Sequence, residues 1–198
     1  QCFELCLHSS EVSYKQSESR VMIKAILFAG SGGQGIMLMG RLLAYGAIHE
    51  GLEVTFYPSY GPEMRGGTAN CTVTVSDQRI GSPVRSSYTC LMAMNQPSID
   101  RFAQSIQTGG ILAYNAPLKP FNRSDLVVWP VPATIRAAEL GSIQIANMVA
   151  LGGLLPALEV ISLPAVLQGL SRVIPAHRST MLELNQKALE EGYASVSA

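Results

Sequence analysis

Apolar and polar positions along this chain switch repeatedly between a strand-like and a helix-like period. Residues 24–29 and 89–94 are short apolar runs that predict buried strands, and 53–57, 110–114 and 126–131 predict three more. In 70–76, Cys71, Val73 and Val75 alternate with Thr72, Thr74 and Ser76, which predicts a strand with one exposed face. Residues 36–50 are apolar nearly all round and predict a helix closed by Gly51. Pro97 marks the start of a second helix, after 89–94.

The last third reads as helical. Residues 133–140 predict a short helix ended by Gly141. The apolar stretch 145–160 carries Gly152, Gly153 and Pro156, residues expected to kink or split it. Ser162 is placed to cap a helix ending near Gly169, and 180–191 predict an amphipathic helix closed by Gly192. Strands alternating with helices imply an α/β fold of three α/β/α layers. Its central sheet is mostly parallel and its C-terminal third helical. One domain is expected over 22–198, with the polar, Ser-rich 1–21 as a non-native or disordered tail and Met22 as a start.

Composition narrows the chemistry. Fourteen basic and fourteen acidic residues among 198 give no basic surplus for nucleic acid or an anionic membrane. No run is long and apolar enough to span a bilayer, and Glu4, His8 and Glu11 interrupt any signal-like core, so a cytoplasmic protein is expected. From Leu140 to Ser171 the only charge is Glu159, a poverty that points to cover by another subunit or to a well-filled core. Cys71 and Cys90 lie in apolar runs and read as buried small side chains. Cys2 and Cys6 fall in the tail, and the spacing of the four cysteines suits neither a zinc site nor an iron–sulfur cluster.

The candidate chemistry sits in two loops. Gly30-Ser31-Gly32-Gly33-Gln34-Gly35 joins a strand to a helix, a place where free N–H groups and the helix dipole favour an anion such as a phosphate. The spacing matches a dinucleotide loop, yet the second strand ends in Phe56-Tyr57-Pro58 without the acid that would bind a ribose; Glu53 opens that strand instead. A tight turn with no ligand is the plainer alternative. The second loop, 58–67, contains Tyr60, Glu63, Arg65, Gly66 and Gly67. Its arginine fork suits a carboxylate or phosphate, with Glu63 orienting it, or else serves a rigid turn. Asn95 follows a buried strand and is placed either to reach the same ligand or to cap the Pro97 helix. No nucleophile–base pair or carboxylate pair stands out, so a binding subunit is expected rather than a self-sufficient enzyme.

These motifs in order resemble one family. The glycine loop is followed by the long 58–71 segment, then Ile80-Gly81-Ser82-Pro83, then Met94-Asn95-Gln96-Pro97-Ser98. Val131-Pro132-Ala133-Thr134, Ala146-Asn147-Met148 and Leu184-Asn185 also fit. Together they resemble the gamma subunit of 2-oxoacid:ferredoxin oxidoreductases, of the 2-oxoglutarate or branched-chain type. The resemblance implies a complex that decarboxylates a 2-oxoacid oxidatively, gives the acyl group to coenzyme A and passes electrons to ferredoxin. It implies thiamine diphosphate on alpha and beta partner subunits and iron–sulfur clusters on partners that include a ferredoxin-like delta subunit. By the same resemblance, residues 32–35 contact coenzyme A or a partner near it, and Arg65 meets an acidic ligand or partner carboxylate. A freestanding nucleotide-binding or scaffold protein and the small subunit of an indolepyruvate oxidoreductase are the alternatives.

Overall fold

Ile26 and Phe28 on one side of the first strand, and Leu27 and Ala29 on the other, are all excluded from water. A strand buried on both faces needs packing on both, and this one lies inside a six-stranded sheet. A computed structural model describes residues 21–60, 68–174 and 179–196, without the side chains of Tyr60 and Ser179. The order is β1 Ile23–Ser31, α1 Ile36–His49, β2 Glu53–Tyr60, β3 Thr68–Ser76, β4 Tyr88–Ala93, α2 Gln96–Phe102, β5 Ile106–Asn115 and β6 Val127–Val131. Four helices follow: α3 Ala133–Glu139, α4 Ala146–Leu158, α5 Leu163–Val173 and α6 Ser179–Ala194.

The strands lie in the order β2-β3-β1-β4-β5-β6. β3 runs antiparallel to both neighbours, and the β1–β4, β4–β5 and β5–β6 ladders are parallel. The mostly parallel sheet expected from the sequence is present, with one reversed strand inside it. Helices cover both faces unevenly. One face carries α1 and α4, with α5 packed on α1 and α6 packed on α4; the other has α2 against β1 and β4.

Several local expectations are corrected. The polar face of β3 is not exposed: Thr72, Thr74 and Ser76 are as buried as Cys71, Val73 and Val75, because β3 lies between β1 and β2 rather than at an edge. β2 continues through Pro58 to Tyr60, where a loop was expected. An edge strand tolerates a proline because only one side of it is paired. Gly152, Gly153 and Pro156 do not split α4, which is one helix with Pro156 in its last turn. Nor does Gly169 end α5 or Gly192 end α6. Instead, Gly152 lies against the Leu189 carbonyl and Gly192 against that of Val149, so the two glycines let α4 and α6 touch backbone to backbone. Close packing here overrides weak helix propensity.

All of α4 except Pro156 and Ala157 is buried within this chain. That accounts for much of the missing charge without another subunit. Cys71 and Cys90 are fully buried, as expected, and burial pushes both thiols up to about 12. Gly51 and Gly141 take positive φ just past α1 and α3, in the expected stop positions. The tail 1–20 lies outside the described residues.

Candidate functional site

The carboxyl ends of β1, β4, β5 and β6 lie along one edge of the sheet, and the glycine loop rises there. The turn is held by its own side chains. The Ser31 N–H donates to Gln34 Oε1 (2.6 Å), and the Gln34 amide donates to the Met94 carbonyl (3.3 Å). Asn95 Nδ2 donates to Ser31 Oγ (2.7 Å) and also approaches Gln34 Oε1 (3.4 Å). Asn95 Oδ1 accepts from the Ser98 N–H (3.0 Å), which caps α2. The structure therefore brings Asn95 to the glycine loop and gives it the capping role. The polar ends of Gln34 and Asn95 serve the scaffold, leaving the backbone of Gly32 and Gly33 at the surface.

The glycines differ in what they do. A side chain at Gly30 would run into Ile36 and Gln34, so this position is closed by packing. Gly33 has φ of +91° and nothing within 4 Å of where a Cβ would stand, so it opens onto free space. Gly35 has φ of +72°, and a side chain there would collide with the Asn147 amide. Its carbonyl accepts from the N–H groups of Leu38 (3.0 Å) and Met39 (3.1 Å) at the start of α1.

A cleft of ≈ 240 Å³ opens beside the loop, lined by Gly33, Gln34, Thr134, Gln144 and Asn147 among others. Thr134 lies in the first turn of α3 and Asn147 in the first turn of α4. No side chain caps α1 or α4, so the first N–H groups of these two helices are left without that partner beside the cleft. Asn115, at the end of β5, fixes α3 by accepting from the Thr134 N–H (3.0 Å) and donating to Thr134 Oγ1 (2.8 Å). Thr134, Gln144 and Asn147 were not among the expected site residues. Thr134 and Asn147 lie in segments that carry the family resemblance, and both stand in the first turn of a helix.

The second loop is placed by its stems. Tyr60 and Gly30 both pair with Ala69, and Ser31 pairs with Thr68, so the two stems end beside the glycine loop. Glu63, Arg65, Gly66 and Gly67 themselves lie outside the described residues. Arg101 donates to Thr68 Oγ1 (3.0 Å) at the returning stem. Glu53 pairs with Ser76, which also pairs with Ile23; it therefore sits at the far end of the sheet, away from any ligand on the glycine loop. Among the described residues no cluster of His, Cys, Asp or Glu is arranged to hold a metal, and no helix is long and apolar enough to cross a membrane.

This geometry can be set beside known proteins. The family model described as pyruvate ferredoxin/flavodoxin oxidoreductase matches residues 25–195. Ketoisovalerate oxidoreductase subunit VorA of Methanothermobacter marburgensis is 38% identical over 169 residues, 84% of this chain and 35% of its own length. The chain thus spans about a third of that relative. 2-Oxoglutarate synthase subunit KorC of the same organism is 32% identical over 163 residues, 78% of this chain and 88% of its own. In three dimensions the chain is similar to 2-oxoglutarate:ferredoxin oxidoreductase from Magnetococcus marinus, a structure with 2-oxoglutarate, coenzyme A and succinyl-CoA bound. The TM-score is 0.81 at 27% identity, over 88% of this chain and 31% of that one. The motifs, the sheet and the family match agree: the chain belongs to the pyruvate ferredoxin/flavodoxin oxidoreductase family.

Proposed function

We propose that this chain is the gamma component of a multisubunit 2-oxoacid:ferredoxin oxidoreductase, and that its glycine-loop cleft receives the phosphate-bearing part of coenzyme A. The observation that carries this reading is the open backbone at Gly33 beside the uncapped starts of α1 and α4. N–H groups at helix starts favour phosphate oxygens, and glycine lets an anion approach the main chain. The groups present fit such a ligand: Gly32 and Gly33 supply backbone, and Thr134, Gln144 and Asn147 supply neutral polar side chains around the cleft. Coenzyme A brings the thiol that accepts the acyl group; this chain's part is to hold and orient the carrier.

Thiamine diphosphate and the iron–sulfur clusters belong, in this reading, to alpha, beta and ferredoxin-like delta partners, with ferredoxin as the electron acceptor. The two described cysteines are packing residues whose thiols stay protonated. Arg65, oriented by Glu63, is assigned to the same ligand or to a partner carboxylate, on the strength of the stems at Tyr60 and Thr68.

The test is purification of the tagged chain from its native cells, followed by assay for 2-oxoacid- and coenzyme A-dependent reduction of ferredoxin. Co-elution with thiamine-binding and ferredoxin-like chains, together with that activity, is the expected result. A chain that elutes alone and inactive overturns the reading in favour of a freestanding protein.

A further inference from the structure

The end of the sheet opposite the glycine loop carries an arginine that makes no ion pair among the described residues. Arg85 lies in the segment between β3 and β4 and is half-buried. Its Nε is shielded from solvent and has no hydrogen-bond partner, and among the described residues no acidic group pairs with its guanidinium. Shielding part of a guanidinium without an acceptor is unfavourable, and such groups ordinarily find a partner. Arg85 lines a recess of ≈ 190 Å³ together with Ile23, Ser86, Ser87, Thr89 and Gln107. A wider recess of ≈ 580 Å³ shares Ile23, Thr89 and Gln107 with it and adds Lys24. Two cations, several hydroxyls and an amide therefore line one continuous surface, and neither recess is lined by an Asp or Glu.

The surroundings indicate what kind of carboxylate belongs there. Val21, Ile23 and Val84 are 47%, 42% and 61% exposed at the same end of the molecule. A site for a small free anion has no use for three exposed apolar side chains. An arginine fork ringed by apolar surface is the makeup of a protein interface, where arginine is enriched and its planar donors match a carboxylate.

We infer that the β1-start surface around Arg85 docks another polypeptide of the complex, which inserts an Asp or Glu side chain beside Arg85 and apolar side chains over Val21, Ile23 and Val84. This rests on the subunit reading above. It names the face used and the chemistry of the occupant. β1 separates Ile23 from Ser31 by its full length, so a partner held here leaves the glycine-loop cleft free for its ligand.

The experiment compares complexes purified through the tagged wild-type chain and through Arg85→Glu, with Arg85→Lys as the conservative variant. Wild type should bring down its partners, and Arg85→Glu should recover at least tenfold less of one of them while its circular dichroism melt stays near wild type. In the Arg85→Lys complex, a zero-length carbodiimide should join position 85 to an Asp or Glu of that partner. Full assembly of the Arg85→Glu chain, or carbodiimide products that never include position 85, overturns this inference and leaves the subunit reading standing. A wild-type chain that purifies alone overturns both. A melt of the full chain raised by millimolar succinate or phosphate, and no longer raised in Arg85→Ala, would show a small-anion site and overturn the docking assignment.

Discussion

The side-chain amide of Asn147 donates to the carbonyl of Gly35 at 3.5 Å, joining the start of α4 to the start of α1 across 112 residues of chain. Gly35 is thereby constrained twice, by its positive φ and by the amide seated where a side chain would project. Gly35→Ala should destabilise the domain by about 2–4 kcal/mol, combining left-handed strain with overpacking. Thermal or urea unfolding measures it. Asn147→Ala in the same chain should recover part of the loss, because it removes the collision and leaves the strain; additive losses would disprove the contact.

Gly33 separates binding from folding. Its φ is equally left-handed, but a methyl there meets nothing. Gly33→Ala should therefore fold with a loss of about 1–2 kcal/mol from backbone strain. If the cleft takes coenzyme A phosphates, the same change should raise the KM for coenzyme A in the assembled oxidoreductase about tenfold, the equivalent of 1.4 kcal/mol. Gly33→Val should have a larger effect in the same direction. An unchanged KM with normal assembly would reject the loop as a ligand site.

The α4–α6 contact has a built-in optical reporter. Trp129 is the sole tryptophan, and its indole N–H donates to the Gly153 carbonyl at 2.8 Å. Gly152→Ala places a methyl against the Leu189 backbone, which cannot turn aside as a flexible side chain would. The expected result is a loss of about 1–3 kcal/mol or more, with a red shift of Trp129 emission as α4 moves. A melt and an emission spectrum both like wild type would contradict the backbone-to-backbone packing.

Cys71 and Cys90 should be silent in the native protein. Burial raises both from the ordinary value of 9.0 to about 12, so at pH 8 only about one thiol in ten thousand is ionised. Mass-spectrometric mapping after iodoacetamide treatment should show both unmodified when folded and both modified in denaturant. The shift has a direction on stability. The folded state favours the protonated thiols, so their contribution is intact below about pH 9 and is lost as pH rises from 9 towards 12. Cys71→Ala and Cys90→Ala should flatten that alkaline loss in a pH series of urea melts.

Much of this was legible in the residue pattern, for reasons that can be named. The glycine turn, the buried strands and the stop glycines 51 and 141 are local features, and local physics decides them. Strand direction is not local: the alternation in 70–76 is the same whether β3 runs with its neighbours or against them. The same alternation misled about exposure, because Thr74 is polar but lies in the sheet interior. Gly152 reads as an interruption and Gly169 and Gly192 read as stops, since a helix propensity carries no record of the helix or side chain packed against it. Asn147 and Thr134 reach the cleft only once α3 and α4 are folded onto the sheet, so no spacing near residue 33 announces them.

The reversed direction of β3 has a consequence for how this protein can diverge. Tyr60 and Thr68 are adjacent to the same rungs of one antiparallel ladder, and seven residues lie between them. Both stems are fixed by hydrogen bonds that do not depend on what those seven residues are. The pairing of these stems is set by β1, β2 and β3 themselves. Substitutions between the stems can therefore leave the register of β1, and with it the Gly33 backbone, where it is.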